Sequence, residues 1–557
     1  MTTAERALPR PSLLSRLYGF GSVFAKTVRD SRRATFVMAA FLGLVFVGVS
    51  QAIVSEFDTP ESRQEIERLV ADVPPILQGL AGKVVNVGTL GGYLQYKYGF
   101  FFPIIVSLWS ILALSGTLAG EAARGSLEFV LAAATSRRRV AIEKVAGHVL
   151  MLALACGVAF ASIAYAGATF PVLPGDEISL LSAFGYAVAL GVIALCGGGL
   201  AFALAPVFGR GGAAGIAGFV TFAGFIVNGY QQPVPALAPF ANLTWWGWTQ
   251  NHVPLAGTYD WGGVALAGLV ALAFLAVGVE AFARRDVGVT TALPGPSMPR
   301  VLLGLSGPLA RATSQNLARA VGWGLGVGFF GLVFGAAARG FLDTLGESPH
   351  FVRLLEMVFP GIDYATAGGF LQLLFVELGV IFAGLAAASF VSGWASDETT
   401  GRLGMLLSTP LLRVRWAIAS GVGMLLDVLV FVALTAAGIA IGVATTGSDV
   451  VTPTTGSLIL GVYGAAVVGI GAAVGGLFGA RYATPAVVVF VLVTWSIQLF
   501  GPVLQLPAIV RDLALTTHFG QPMVGVWDWG GVALALGIAV AGIGLGAWGV
   551  ARRDLMV

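Results

Sequence analysis

The chain has 557 residues, of which 57% are hydrophobic and 11% charged, with a formal net charge of +3, 78 glycines and two cysteines; soluble domains carry about 25% charged residues. Its mean hydropathy is +0.87. These values exclude an ordinary water-soluble domain and a disulfide-stapled secreted one, give no basis for a nucleic-acid partner, and make the bilayer the solvent.

In chain order, the first residues, MTTAERALPRPSLLSRLYGF, are basic but lack a short apolar core ending in a small-residue cleavage site, so no signal peptide is expected. Apolar runs uniform around a helix then predict spans at 34–54, 100–120, 146–170, 180–206, 212–229, 261–283, 320–338, 364–392, 416–445, 456–478, 484–502 and 530–550. A barrel would instead alternate every second residue over strands of about ten residues. The expected fold is therefore an all-α polytopic membrane protein with twelve transmembrane helices. With the N-terminus inside, only Arg63, Arg68, Lys83, Lys97, Arg339, Arg353 and Arg511 among the Lys and Arg fall outside, which places both termini in the cytoplasm. The first outer loop, 55–99, concentrates acids between 56 and 72 and suits an amphipathic helix. The outer segments 230–260 and 503–529 are rich in Pro and Trp, and Trp245, Trp246 and Trp248 read as an aromatic belt. Cys156 and Cys196 lie in apolar runs and read as small buried hydrophobes.

The chain is internally duplicated. PLAGTYDWGGVAL from Pro254 recurs as PMVGVWDWGGVAL from Pro522, 268 residues on, and GSLEFVLAAATSRRRVAI from Gly125 recurs as GRLGMLLSTPLLRVRWAI from Gly401, 276 on. Matched Asp, Arg, Trp and Pro make chance similarity of apolar segments a poor explanation. Two parallel six-helix repeats follow: a first half at 1–283, a cytoplasmic linker at 284–319, and a second half at 320–557. An even number of spans inserts both halves in the same sense.

Motifs for catalysis are absent. His148, His252, His350 and His518 are each followed by Val or Phe, so no HExxH helix exists, there is no GxSxG elbow, and none of the four lysines stands in GxxxxGK[ST]. No metal site, catalytic residue or resident cofactor is expected, and the chain cannot hydrolyse ATP through a P-loop of its own. The loop after the second span of each half carries more information. In GEAARGSLEFVLAAATSRRRVAIEK an acid, Glu121, stands at the membrane exit. Gly125 follows as a break, then a short apolar-faced segment with Leu127, Glu128 and Leu131, then Arg137, Arg138 and Arg139 opening the next helix. SDETTGRLGMLLSTPLLRVRWAI repeats the plan with Asp397, Glu398, Gly401, Leu403, Leu407, Arg413 and Arg415. An apolar helix in a water-facing loop needs something to cover it.

These two loops resemble those of the ABC type-2 exporter permeases, which carry acidic-x-x-x-G-T/S-L-E-x-L-L-A-T-P-x-S-R before the third span. The first half departs with Ala133 and Ala134 at the usual Thr-Pro, and the second keeps Ser408, Thr409 and Pro410 but has Gly404 opposite Glu128. The fused twelve-span form is similar to actinobacterial permeases associated with export of polyketide antibiotics such as tetronasin. The resemblance implies that the loops are coupling helices docking on two copies of a separate ATP-binding subunit, which would hold ATP and Mg2+. It also implies a connecting helix at the membrane face, fitted here by Leu13, Leu14, Leu17, Tyr18, Phe24 and Val28 with Arg16, Lys26 and Arg29 interleaved, and a re-entrant outer element as the alternative to an aromatic belt. The location implied is the bacterial inner (plasma) membrane.

Three acids lie within spans. Glu280 precedes Arg284 by four residues, which predicts a local ion pair. Glu377 and Asp427 are deeper and have Phe101 and Met151 at the positions 276 residues earlier; they are candidates for pathway or intramembrane polar roles. The expectation is the membrane subunit of an ATP-driven exporter for hydrophobic or amphipathic compounds, surrounded by lipid. The alternatives are an ion-gradient carrier using Glu377 and Asp427, or export of lipid, ion or peptide.

Overall fold

The computed structural model describes residues 22–71, 83–118, 120–121, 136–232, 234–284, 304, 306–347, 362–364, 366–500 and 506–554. These are helical apart from short loops and a two-stranded ribbon, as hydrocarbon requires of a chain that must satisfy its backbone hydrogen bonds within each segment. The chain is an all-α polytopic membrane protein. It divides into two compact units, Met1–Pro294 and Gly295–Val557; residues 308–319 of the expected linker already belong to a long helix, Pro308–Glu347.

The first unit runs α1 (Val23–Glu56), α2 (Pro60–Ala71), α3 (Leu90–Tyr98), α4 (Phe101–Thr117), α5 (Arg137–Thr169), α6 (Leu180–Tyr230), the short α7 (Ala238–Ala241) and α8 (Trp245–Thr249), and α9 (Trp261–Arg284). Serine caps start three of the long helices: Ser22, Ser136 and Ser179 accept from Ala25, Arg139 and Ser182 N–H groups. Helix α1 packs along α5, and α6 along α4 and α9. Phe46 at the centre stands edge-on to Phe102 at 5.2 Å and Tyr186 at 5.4 Å. Of the expected connecting helix, Leu13, Leu14, Arg16, Leu17 and Tyr18 lie outside the described residues; Phe24, Lys26, Val28 and Arg29 form the first turns of α1, continuous with the span.

The second unit runs α10 (Pro308–Glu347), α11 (Ala367–Gln372), a π-helical turn (Leu373–Leu378), α12 (Val380–Thr399), α13 (Arg402–Leu407), α14 (Arg413–Ala444), α15 (Val451–Gly456), α16 (Ile459–Phe478), α17 (Ala480–Phe500), α18 (Ala508–Arg511), the ribbon β1 (Gly520–Gln521) and β2 (Val526–Trp527), and α19 (Trp529–Arg552). Here α10 packs on α14 and α16 on α19.

Ten described helices are long and apolar enough to cross a membrane, and the pair α3–α4, bent by 46°, makes an eleventh. One of the ten, α6, contains two expected spans. Its helical geometry breaks at Gly209, with φ 67° and ψ −179°, and the chain doubles back there. Ala201 packs with Ala217 and Ala205 with Ala213, and a Cβ placed on Gly197 would lie 2.9 Å from Thr221 Oγ1. In the second unit Gly479, φ 115°, joins α16 to α17 in the same way: a Cβ on Gly475 would lie 3.0 Å from the Ala483 Cβ. Positive φ at a one-residue reversal between helices is open to glycine at little steric cost.

Other contacts recur at fixed offsets. Thr89 caps Gly92 N–H and Thr366 caps Gly369 N–H, both at 3.1 Å. Gln95 Oε1 accepts from Leu255 N–H at 3.3 Å, and Gln372 Oε1 from Met523 N–H at 3.2 Å. The Val253–Thr258 bridge has its counterpart in Gln521–Val526, each turning through a left-handed glycine, Gly257 or Gly525. Asp260 and Asp528 then bond the first N–H groups of α9 and α19.

Two expectations at this end need revision or gain content. Trp245 and Trp246 are buried inside the first unit and not spread on its perimeter as an aromatic belt; the Trp246 indole donates to the Thr221 carbonyl at 2.8 Å and packs on Phe225 and Phe100. The acidic loop does form a helix, α2, held by Ile66 and Val70 against Val87 and Tyr96.

Candidate functional site

At the basic end of the first unit the loop segment 122–135, with Gly125, Leu127, Glu128 and Leu131, lies outside the described residues. Its two flanks are fixed. Glu121 is buried and receives Lys144 Nζ at 2.6 Å and Lys26 Nζ at 3.0 Å. Burial would raise its carboxyl, but the hydrogen bonds and charge of Lys144, then of Lys26, hold it below the ordinary carboxylate range. On the other flank Arg139 pairs with Glu143 at 2.9 Å, whose second oxygen takes the Phe24 N–H at 3.1 Å. Arg138 reaches Glu280, which also holds Arg284 at 2.7 Å, so the local pair expected of Glu280 forms and ties α5 to α9 as well. Arg137 is the first residue of α5. The cation cluster is thus partly spent on binding helices together, which a count of charges could not show.

The corresponding loop of the second unit is fully described. Asp397 is buried and grips Arg311 at 2.8 and 3.1 Å, a two-pronged pair between α12 and α10. Glu398, also buried, holds Arg553 just beyond α19, one bond at 2.7 Å. The chain then turns at Gly401, φ 74°, into α13. Leu403 is buried against the unit and Leu407 half-buried, whereas Met405 and Leu412 are 70% and 74% exposed. Arg402, Arg413 and Arg415 are exposed around them, Arg413 also donating to the Arg553 carbonyl at 3.2 Å. Glu121, Asp397 and Glu398, which the sequence places in the two loops, are internally paired and position the loop. The outward groups of the described loop are Met405, Leu412 and the arginines, and the signal for Met405 was its place two residues after the inward Leu403 on a short helix.

Away from this end, Asp427 on α14 is wholly buried. Among the described residues neither of its carboxyl oxygens has a well-formed hydrogen bond; Asn316 and the Arg319 guanidinium are polar groups that act on it. Glu377, in the π-helical turn, takes Gln372 Nε2 at 3.1 Å and Gln498 Nε2 at 2.9 Å. Among the described residues Glu377 and Asp427 share no hydrogen-bond partner. Among the described residues no group of three or more His, Cys, Asp or Glu could hold a metal ion.

The opposite end of the first unit has two polar assemblies that sequence reading missed. Arg63 on α2 donates to the Phe57 carbonyl at 2.6 Å, the Gly88 carbonyl at 3.1 Å and Asp176 at 3.0 Å, with both ionic partners buried. The second is a cleft of about 380 Å³ lined by Gln95, Phe100, Asn228, Trp246, Gln250 and His252 among others. His252 Nδ1 accepts the Asp260 N–H at 3.0 Å, so its Nε2 carries the proton toward the Gly185 carbonyl at 3.2 Å. Burial pushes this imidazole below its ordinary value, against smaller raising effects of Gly185 and Asp260.

Residues 305–550, most of the second unit, match the family model of the multidrug efflux system permease Rv1217c, C-terminal domain. The match supports a permease of the efflux type. No curated protein matches the chain. A transporter domain of this kind fits the described geometry, in which buried polar groups brace helices and no catalytic constellation is assembled among the described residues.

Proposed function

We propose that the chain is the membrane subunit of an ATP-driven ABC exporter, built as two six-span repeats, with both termini in the cytoplasm of a bacterium and two copies of a separate ATPase docked on the basic loops. The observation that carries this reading is the α13 loop. Met405 and Leu412 are exposed on it, while Asp397–Arg311 and Glu398–Arg553 fasten its base to α10 and to the end of α19. Such a loop transmits a push into the helices that hold it. The reversals at Gly209 and Gly479 support counting twelve spans, and the recurring contacts at the opposite ends support the duplication. ATP and Mg2+ belong to the partner. The cargo is a hydrophobic or amphipathic compound of antibiotic or multidrug kind.

The test is co-expression with the ATPase of a neighbouring reading frame. The complex should contain two ATPase subunits per permease, and Met405→Glu with Leu412→Glu should lower substrate-stimulated ATP hydrolysis at least fivefold while the permease stays monodisperse. Stimulation unchanged in that variant removes the loop from coupling. Charge reversal of Asp397 or Glu121 is unsuitable for this purpose, because it would strand Arg311 or Lys144.

A second reading is favoured by one observation, the buried Asp427 carboxyl beside Arg319 without a well-formed hydrogen bond among the described residues: a gradient-driven carrier in which Asp427, with Glu377, takes up a proton or cation. Flux in vesicles clamped with an ionophore separates the two. ATP-dependent export that survives the clamp supports the exporter, and flux that follows the gradient alone supports the carrier.

A further inference from the structure

The two units use the same pair of amides for different purposes. In the second, Gln372 Oε1 is occupied by the Met523 N–H and Gln498 Oε1 by the Thr516 hydroxyl. Their NH2 groups therefore face inward, where they take the two oxygens of Glu377. In the first unit Gln95 stands where Gln372 does, holding Leu255 N–H as Gln372 holds Met523 N–H. Asn228 is the counterpart of Gln498, because both follow their reversal glycine, Gly209 or Gly479, by the same number of residues. The residue five after Gln372 is Glu377, and the residue five after Gln95 is Phe100. The recurring hydrogen bonds thus shift the register by one from the sequence-based pairing of Glu377 with Phe101. Phe100 stacks on Phe225 at 4.1 Å, and no carboxyl enters.

The orientation of the amides in the first unit is fixed by their partners. Leu255 N–H can only donate, so Gln95 Oε1 must face it and Nε2 must face away. Gln231 Nε2 lies 3.0 Å from the Asn228 backbone carbonyl, which fixes its own amide, and it shares its two hydrogens among that carbonyl, Asn228 Oδ1 at 3.0 Å and Gln250 Oε1 at 2.9 Å. Asn228 Nδ2 and Gln250 Nε2 are thereby left as donors. Gln95 and Asn228 are only 6% and 8% exposed, and both line the 380 Å³ cleft. Among the described residues none of these three nitrogens has an acceptor. The lining includes Lys83 and no acid, and Phe100, Ile193 and Trp246 supply an apolar wall.

We propose that this cleft binds the carboxyl group of an amphipathic organic acid. The NH2 groups of Gln95 and Asn228 take its two oxygens as Gln372 and Gln498 take Glu377, Gln250 adds a third donor, Lys83 supplies positive charge, and the apolar wall receives the alkyl body. The site stands whichever energy source drives transport.

The experiment is equilibrium binding of radiolabelled octanoate to the full chain in lipid nanodiscs, with protein-free nanodiscs subtracted and 1-octanol as the neutral competitor. Saturable octanoate binding is expected, with octanol competing at least tenfold more weakly. Asn228→Leu and Gln250→Leu should each weaken binding about tenfold. Phe100→Glu, which places a carboxyl where the second unit has one, should abolish it, and Glu377→Gln should leave it unchanged. Gel filtration establishes that each variant is folded, and the two leucine variants carry the test if Phe100→Glu is not. The proposal is overturned by absence of saturable octanoate binding, by equal competition from octanol, or by undiminished binding in folded Asn228→Leu and Gln250→Leu.

Discussion

Replacing Arg63 by Met would remove one side of the buried Arg63–Asp176 pair and leave the other in place. Breaking such a pair costs about 3–5 kcal/mol, because the remaining charge stays desolvated without its partner. Asp176 keeps the Leu90 N–H at 2.8 Å and the Leu173 N–H at 3.2 Å, which moves the cost toward the lower figure. The Phe57 and Gly88 carbonyls each lose a donor, which moves it back up. A loss of about 3 kcal/mol in local stability corresponds to about a hundredfold loss of protection, at about 1.4 kcal/mol per factor of ten. A single global melting temperature is a poor measure for a chain of two units. The appropriate assay is amide hydrogen exchange, comparing peptides from 57–71 and 83–98 with peptides from α5. Arg63→Lys keeps the charge but cannot hold Phe57, Gly88 and Asp176 with one ammonium, so it should fall between wild type and Met. The double variant Arg63→Met with Asp176→Asn should lose less than the sum of the single losses. Protection in those peptides within threefold of wild type in Arg63→Met would refute the assignment of this pair as the clasp of α2 and α3 in the first unit.

Gly209→Ala and Gly479→Ala should each destabilise their unit by about 1–3 kcal/mol, since both glycines have positive φ. Gly211→Ala, where an added Cβ meets nothing within 4 Å, should be neutral or stabilising; amide hydrogen exchange in peptides flanking each glycine makes the comparison, and equal protection in the three proteins would contradict the reversal geometry. Glu121 sets an acid limit for the basic end of the first unit. Its folded-state affinity for protons is below that of the ordinary carboxyl, whose reference value is 4.5, so its contribution is present above about pH 4.5 and is lost as pH falls through the lower folded value. Wild type should therefore be more stable than Glu121→Gln at pH 7 and converge with it on acidification, while a gap that widens toward low pH would reverse the assigned sign.

The all-α membrane architecture, most of the long apolar helices and the recurring segments were legible in sequence because they depend on local quantities. Hydropathy accumulates over about 20 adjacent residues, and landmarks such as YDWGGVAL and VWDWGGVAL keep their polar letters. Even the break inside α6 was readable, since 207–211, Val-Phe-Gly-Arg-Gly, interrupts an apolar run with a charge between glycines. The fate of the charges was not readable. Glu121 and Asp397 look like surface acids of a loop until Lys144 and Arg311 arrive from other helices and bury them. Arg63 finds Asp176 from 113 positions away, and nothing in either neighbourhood announces the other. The Gln95 and Asn228 amides become a site only because a backbone N–H at Leu255 and a side chain at Gln231 fix which end of each amide faces the cleft. Burial in hydrocarbon is a property of a segment, so sequence alone determines it; desolvation of a charge and orientation of an amide are properties of pairs far apart in the chain, so only the tertiary structure decides them.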